Sequence, residues 1–209
     1  MIPRFPVYLF DLDGTLLDSA VDICGAMQHV VSTLPCPPVT FEYLKGFIGV
    51  HLIELFGELI PDYPPEQVEG LVAEYRANYA ARGHVNTRVY PGVVEGLSAL
   101  GGRKGTATTK GTPTTRAVLE QFGLLRFFDH VQGTDGFPAK PAPDVLLAAL
   151  AALGSTPAEC LFVGDSPADM EAGRRAGVKT CCVRYGYGEA GELARQAPDY
   201  WIGDLRELC

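Results

Sequence analysis

Positive charge is in short supply in this chain. Its 17 lysines and arginines face 25 aspartates and glutamates, which leaves a formal net charge of -8 and a sequence pI near 5.0. Such a balance repels nucleic acid phosphates and anionic membrane surfaces unless a local basic patch overrides it. The nearest basic clusters, Arg103-Lys104 and Arg174-Arg175, are short pairs that read as solvated helix faces or caps, so neither nucleic acid nor membrane is expected as a partner. Long apolar runs are also missing. None approaches the roughly 20 residues that a membrane-spanning helix needs, and the opening Met1-Ile2-Pro3-Arg4-Phe5-Pro6 lacks the apolar core of a secretory signal; a cytoplasmic location is expected. The six cysteines (Cys24, Cys36, Cys160, Cys181, Cys182 and Cys209) form no C-x-x-C pair, which argues against a zinc or dithiol site. A chain of this length needs no disulfide staples either, so they read as reduced thiols, with Cys181 and Cys182 packed as small hydrophobes in an apolar run. Internal repeats and low-complexity tracts are absent as well.

What remains is the make-up of an ordinary globular chain. Hydrophobic residues supply 47% and charged residues 20% of the 209 positions, enough to bury a core and too apolar for disorder. Val7-Tyr8-Leu9-Phe10 is a continuous apolar run too short for a helix, and it reads as a parallel strand buried on both faces. Leu161-Phe162-Val163 behaves alike, and Lys179 to Val183 and Tyr200 to Ile202 read as further strands. Helical patterns lie beside them at Thr112 to Phe122, Pro141 to Leu153 and Pro167 to Ala176, the last opening on proline and stopping at Gly177. This alternation predicts an α/β fold with a doubly wound, Rossmann-like parallel sheet. Between about Ser19 and Arg82 the alternation breaks: Ala20 to Leu34 and Glu66 to Ala81 read as helices with no strand between them. The expected organisation is a core of residues 1–16 and 87–209 interrupted by a helical insertion over 17–86, punctuated by Gly14 before it and Pro91-Gly92 after it.

In an open parallel sheet, ligands bind beyond the carboxyl ends of the strands. Asp11 and Asp165 each follow a buried apolar run directly, and Asp13 lies two residues beyond Asp11, on the same side if the extended geometry persists. Three carboxylates meeting at one sheet edge repel, and a hard divalent cation with oxygen ligands is the simplest way to keep them ionised. Magnesium fits that demand, and because it commonly completes its shell with substrate phosphate, the pattern points to phosphoryl chemistry. Taken alone, Asp-x-Asp-Gly would serve as well to cap a turn, with Asp18 beside it.

The combination of motifs is more telling. Asp11-Leu12-Asp13-Gly14-Thr15, then Gly105-Thr106-Ala107-Thr108-Thr109-Lys110, then Lys140-Pro141-Ala142-Pro143-Asp144, then Gly164-Asp165-Ser166-Pro167-Ala168-Asp169 follow in the order of four known motifs. Together they span essentially the whole chain. The sequence resembles the haloacid dehalogenase superfamily, in its phosphoglycolate-phosphatase-like branch, and Tyr185-Gly186-Tyr187-Gly188 is similar to a segment common in that branch. The resemblance implies a magnesium-dependent phosphatase acting on a small phosphorylated metabolite. Asp11 would be the nucleophile that forms an aspartyl-phosphate, and Asp13 the general acid and base. Thr108 would bind the transferring phosphate, and Lys140 would neutralise phosphate and nucleophile. Asp11, Asp13 and Asp165 would hold the metal, with Asp169 behind them steadying Lys140 or a metal-bound water.

Thr109 stands where family members often carry asparagine, which bears on any substrate-orienting role there. The insertion would be the family's helical cap, with a loop at Phe47 to His51 facing the phosphate and His51 either touching the leaving group or packing half-buried. A phosphomutase resembling β-phosphoglucomutase could use the same aspartates, and a non-catalytic phosphate-sensing module could keep the fold. A dehalogenase would give Asp13 no leaving alkoxide to protonate. Monomer and homodimer both remain compatible with the sequence.

Overall fold

The computed structural model describes residues 2–209. In chain order the elements are β1 (Val7–Phe10), β2 (Leu17–Asp18), α1 (Ala20–Val31), α2 (Phe41–Lys45), α3 (Leu52–Leu59), α4 (Pro65–Ala81), β3 (Arg88–Val89) and α5 (Val93–Ala99). Then follow β4 (Arg103–Thr106), α6 (Thr112–Gln121), α7 (Asp144–Ala152), β5 (Cys160–Gly164), α8 (Pro167–Ala176), β6 (Lys179–Val183), α9 (Ala190–Arg195) and β7 (Tyr200–Ile202). Two compact units emerge: one runs to Asp18 and resumes over Arg88–Cys209, the other is Ser19–Thr87.

The first unit is built on a five-stranded sheet in the order β4-β1-β5-β6-β7, every pairing parallel. Alternation along the strands feeds two cores. Tyr8, Phe10, Leu161, Val163, Cys181 and Val183 face one side with Val93, Leu97, Val118 and Leu119; Val7, Leu9, Cys160 and Phe162 face the other with Val145, Leu146, Ala149 and Ala172. Helices α5 and α6 therefore cover one face and α7 and α8 the other, which is why β1 and β5 are apolar at every position. A two-residue antiparallel pairing of β2 with β3 also forms, an element too short to show in the sequence pattern.

Two helices differ from the expectation. The helix foreseen from Pro141 begins only at Asp144, because Ala142 precedes Pro143 and a residue before proline is kept out of the α region. Helix α1 ends at Val31, short of Leu34. There the Ser32 hydroxyl donates to the His29 carbonyl at 2.8 Å and the Thr33 hydroxyl to that of Val30 at 2.8 Å, side-chain bonds that compete with a further turn. The buried thiols of Cys160 and Cys182 are both pushed up to about 12 by desolvation, as inert core groups should be. Among the described residues, no helix is long and apolar enough to cross a membrane.

The second unit packs α1 against α4 and α2, and α3 against α4. Its two ends are fastened by one carboxylate. Asp22, fully buried in the first turn of α1, accepts bonds from Asn86 N at 2.9 Å, Asn86 Nδ2 at 3.0 Å and Thr87 Oγ1 at 2.8 Å. Burial alone would raise its pKa, but these bonds outweigh burial and hold it below the usual range. A depressed folded pKa contributes stability that is complete above the unfolded value of about 3.9 and is lost as pH falls through the folded one. Asp22→Ala should therefore cost about 2–3 kcal/mol at neutral pH by stranding buried donors. Denaturant unfolding of both proteins at a series of pH values should show that difference constant above about pH 5 and shrinking below pH 4.

Candidate active site

The strand order places a topological switch at β1: the chain leaves β1, returns as β4 on one side, and comes back as β5 on the other. A crevice opens at such a point beyond the carboxyl ends of the strands, and three motifs end there. Asp11 N donates to the Val163 carbonyl at 2.9 Å, and Ala107 N donates to the Phe10 carbonyl at 2.8 Å. These bonds prolong the sheet ladders by one step and bring Asp11 beside Asp165 on one flank and Thr108 on the other. All three side chains are buried.

Lys140 is the hub. Its Nζ, buried at 3% exposure, donates to Asp11 Oδ1 at 2.8 Å, to Asp169 Oδ1 at 2.5 Å and to the Ala107 carbonyl at 3.1 Å. Burial by itself would lower the Lys140 pKa, but the two carboxylates reverse that and hold it above the ordinary lysine range. Asp169 is engaged through both oxygens. Its Oδ2 accepts from Asp165 N at 3.1 Å, Ser166 N at 2.9 Å and Ser166 Oγ at 2.7 Å, so the residue caps α8 and grips Lys140 at once.

Asp165 is held by segments far apart in sequence. Thr15 Oγ1 donates to its Oδ1 at 2.9 Å and Tyr187 N to its Oδ2 at 2.8 Å. A Cβ on Gly14, where φ is +86°, or on Gly186 would overlap the Asp165 side chain, and one on Gly188 would overlap its carbonyl. Tyr185 adds a hydroxyl bond to the Thr15 carbonyl at 2.8 Å. Thr15 and the 185–188 segment are thus the supports that sequence reasoning missed. The available signal was a pair of glycines just past β6, whose carboxyl end must neighbour that of β5 in a parallel sheet.

The carboxylate oxygens that gather within 4.8 Å of one another belong to Asp11, Asp165 and Asp169. The expectation had Asp13 in that group. Instead the chain turns after Asp11, with the Leu12 carbonyl accepting from Thr15, Leu16 and Leu17 N, and the Asp13 carboxylate meets Lys110 Nζ at 3.2 Å. Thr108 is buried, its Oγ1 accepting from Lys110 N at 3.4 Å, and Thr109 follows half-buried. His51 lies in the helical unit, half-buried, where its Nδ1 accepts from Ile53 N at 3.3 Å and caps α3.

The donor set suits a hard divalent cation. Four carboxylates (Asp11, Asp13, Asp165, Asp169) face two paired lysines (Lys110, Lys140), which leaves two negative charges uncompensated when all are ionised. Desolvation pushes the Asp11 pKa up to about 6 against the pull of Lys140, and raises that of Asp165 well above its usual range. Burial penalises the charged form of both, a penalty that a cation beside them would relieve, and carboxylate oxygens are the ligands magnesium takes. Asp11 Oδ2 accepts no hydrogen bond among the described residues, so it is open to such an ion or to a substrate.

Residues 8–183 match the family described as haloacid dehalogenase-like hydrolase. The chain is 34% identical over 217 residues to phosphoglycolate phosphatase 1 of Pseudomonas aeruginosa, covering 99% of this chain and 79% of that protein. It is 34% identical over 206 residues to a phosphoglycolate phosphatase of Aquifex aeolicus, covering 97% and 94%. A solved haloacid dehalogenase-like family hydrolase from Streptococcus pneumoniae superposes with a TM-score of 0.87 at 28% identity, covering 98% of this chain and 96% of that one. The chain therefore belongs to the haloacid dehalogenase-like hydrolase family.

Proposed function

We propose that this chain is a magnesium-dependent phosphatase of small phosphomonoesters, with phosphoglycolate the first candidate, and that it works through an aspartyl-phosphate on Asp11. The observation that carries the reading is the state of Asp11: one oxygen bonded to a buried lysine, the other without a protein donor, at the switch point of the sheet. The kinship with phosphoglycolate phosphatases supports the substrate class.

Lys140 orients Asp11 through Oδ1, leaving Oδ2 to attack phosphorus in line while the Lys140 charge compensates the equatorial oxygens. Thr108 offers its hydroxyl to the same oxygens. Asp13 gives a proton to the leaving alkoxide and, as a carboxylate, takes one from the water that then cleaves the acyl phosphate. Asp169 positions Lys140 and does not itself bind the phosphate. Asp11 and Asp165 would hold magnesium, which supplies when bound the positive charge that keeps these carboxylates ionised. Thr109 is assigned no orienting role of the kind an asparagine amide would play, and His51 a capping one. The helical unit is the part of the chain we assign to substrate choice and exclusion of water.

Asp11→Asn, which keeps an oxygen to accept from Lys140, should lower phosphate release from a generic aryl phosphate by at least about 10³-fold while the purified variant remains folded by circular dichroism. Turnover by this variant at the parent rate would refute the assignment. A chelator should abolish phosphate release by the parent protein, and added magnesium should restore it. Gly186→Ala, which crowds Asp165 without touching Asp11, should raise the magnesium concentration for half-maximal activity by roughly tenfold or more; an unchanged magnesium titration would argue that Asp165 is not a ligand.

A further inference from the structure

The two lysines of the site do different work. Lys140 is consumed by Asp11, Asp169 and the Ala107 carbonyl, at the place where phosphorus is attacked. Lys110 stands 3.2 Å from Asp13 Oδ2, with only about a tenth of each side chain exposed. Its position is built rather than incidental. The Lys110 carbonyl accepts from Thr134 N at 3.2 Å and Thr115 Oγ1 at 3.4 Å. A Cβ at Gly133 would overlap that same carbonyl and Thr112 N, and Asp135 Oδ1 holds Thr112 N at 3.1 Å. The loop after Thr108 is thereby pinned against the 133–135 segment, which fixes the origin of the side chain.

We infer that Lys110 is a specificity-determining residue, which recognises a carboxylate carried by the leaving alcohol of the phosphate ester. This rests on the phosphatase reading, in which Asp13 serves the bridging oxygen. An oxygen served by Asp13 must come within about 3 Å of that carboxylate, so the Lys110 ammonium lies within roughly 5–6 Å of it, one carboxylate and one hydrogen bond away. A carboxylate one methylene removed from the bridging oxygen spans that gap and can pair with the ammonium. A plain alkyl leaving group offers the ammonium no second carboxylate beside Asp13.

The test compares phosphoglycolate with ethyl phosphate, in which a methyl group replaces the carboxylate. The parent protein should favour phosphoglycolate in kcat/KM by at least about tenfold. Lys110→Gln should collapse that preference, chiefly through KM for phosphoglycolate, while Lys110→Arg, which keeps the charge, should retain it within about threefold. A parent protein with no preference, or a Lys110→Gln variant that loses both esters equally, overturns this inference and leaves the phosphatase reading standing. If Lys110→Gln fails to fold, the Arg variant decides: a lost preference with activity on ethyl phosphate intact counts against the assignment. Release of phosphate from neither ester, nor from an aryl phosphate, by the parent protein with magnesium would overturn the phosphatase reading, and this inference with it.

Discussion

An ammonium group almost without water, wedged between Asp11 and Asp169, is the constraint on which the rest of the site depends. Such a group survives only because two carboxylates and a carbonyl replace its hydration shell. Each partner comes from a different place: the end of β1, the end of β4 and the first turn of α8. Lys140 can be satisfied only when the sheet has its β4-β1-β5 order and α8 begins where it does. Asp169 makes that coupling tight, since the oxygen not bonded to Lys140 is the cap of the helix. Loss of either contact would strand a buried charge, which is costlier than loss of an exposed pair.

The same arithmetic shows where negative charge is in surplus. Lys140 offsets one negative charge and Lys110 another, yet four carboxylates gather around them. The surplus falls on Asp11 and Asp165, the two whose pKa values burial raises. A fold that buries carboxylates at a cost in free energy keeps an electrostatic deficit at the switch point, and on that deficit the proposed magnesium site and the proposed phosphoryl transfer both rest. Local destabilisation of this kind sits where consistency between sequence and fold is expected to give way to function.

Much of this was legible in the sequence, for reasons that can be traced residue by residue. Val7–Phe10 is an apolar run that Asp11 ends abruptly, so its limit follows from burial on both faces. Pro167 and Gly177 bracket α8 by what they cannot do inside a helix. Asp11 and Asp165 follow from the carboxyl-end rule. The Asp13 carboxylate turns toward Lys110 because the alternation of side chains stops at the turn that begins with Leu12. Lys110 was hidden for another reason: a lone lysine after two threonines looks like any surface lysine until the partner strand brings Asp13 to it.

The supports of Asp165 show what kind of information a linear reading loses. Thr15 and Tyr187 lie 150 and 22 residues from it in sequence, yet each donates to one of its oxygens. Parallel pairing makes this unavoidable, for every carboxyl end along the sheet faces the same crevice, and the loops after β1, β5 and β6 must share it. Three loops converging on one carboxylate leave no volume for side chains on the inner path, and glycine is what remains at 14, 186 and 188. A glycine at those sites is then evidence about its neighbour more than about its own backbone. Wherever two loops past adjacent parallel strands carry glycine opposite an acidic residue, the crowded carboxylate between them is the group to examine first as a ligand.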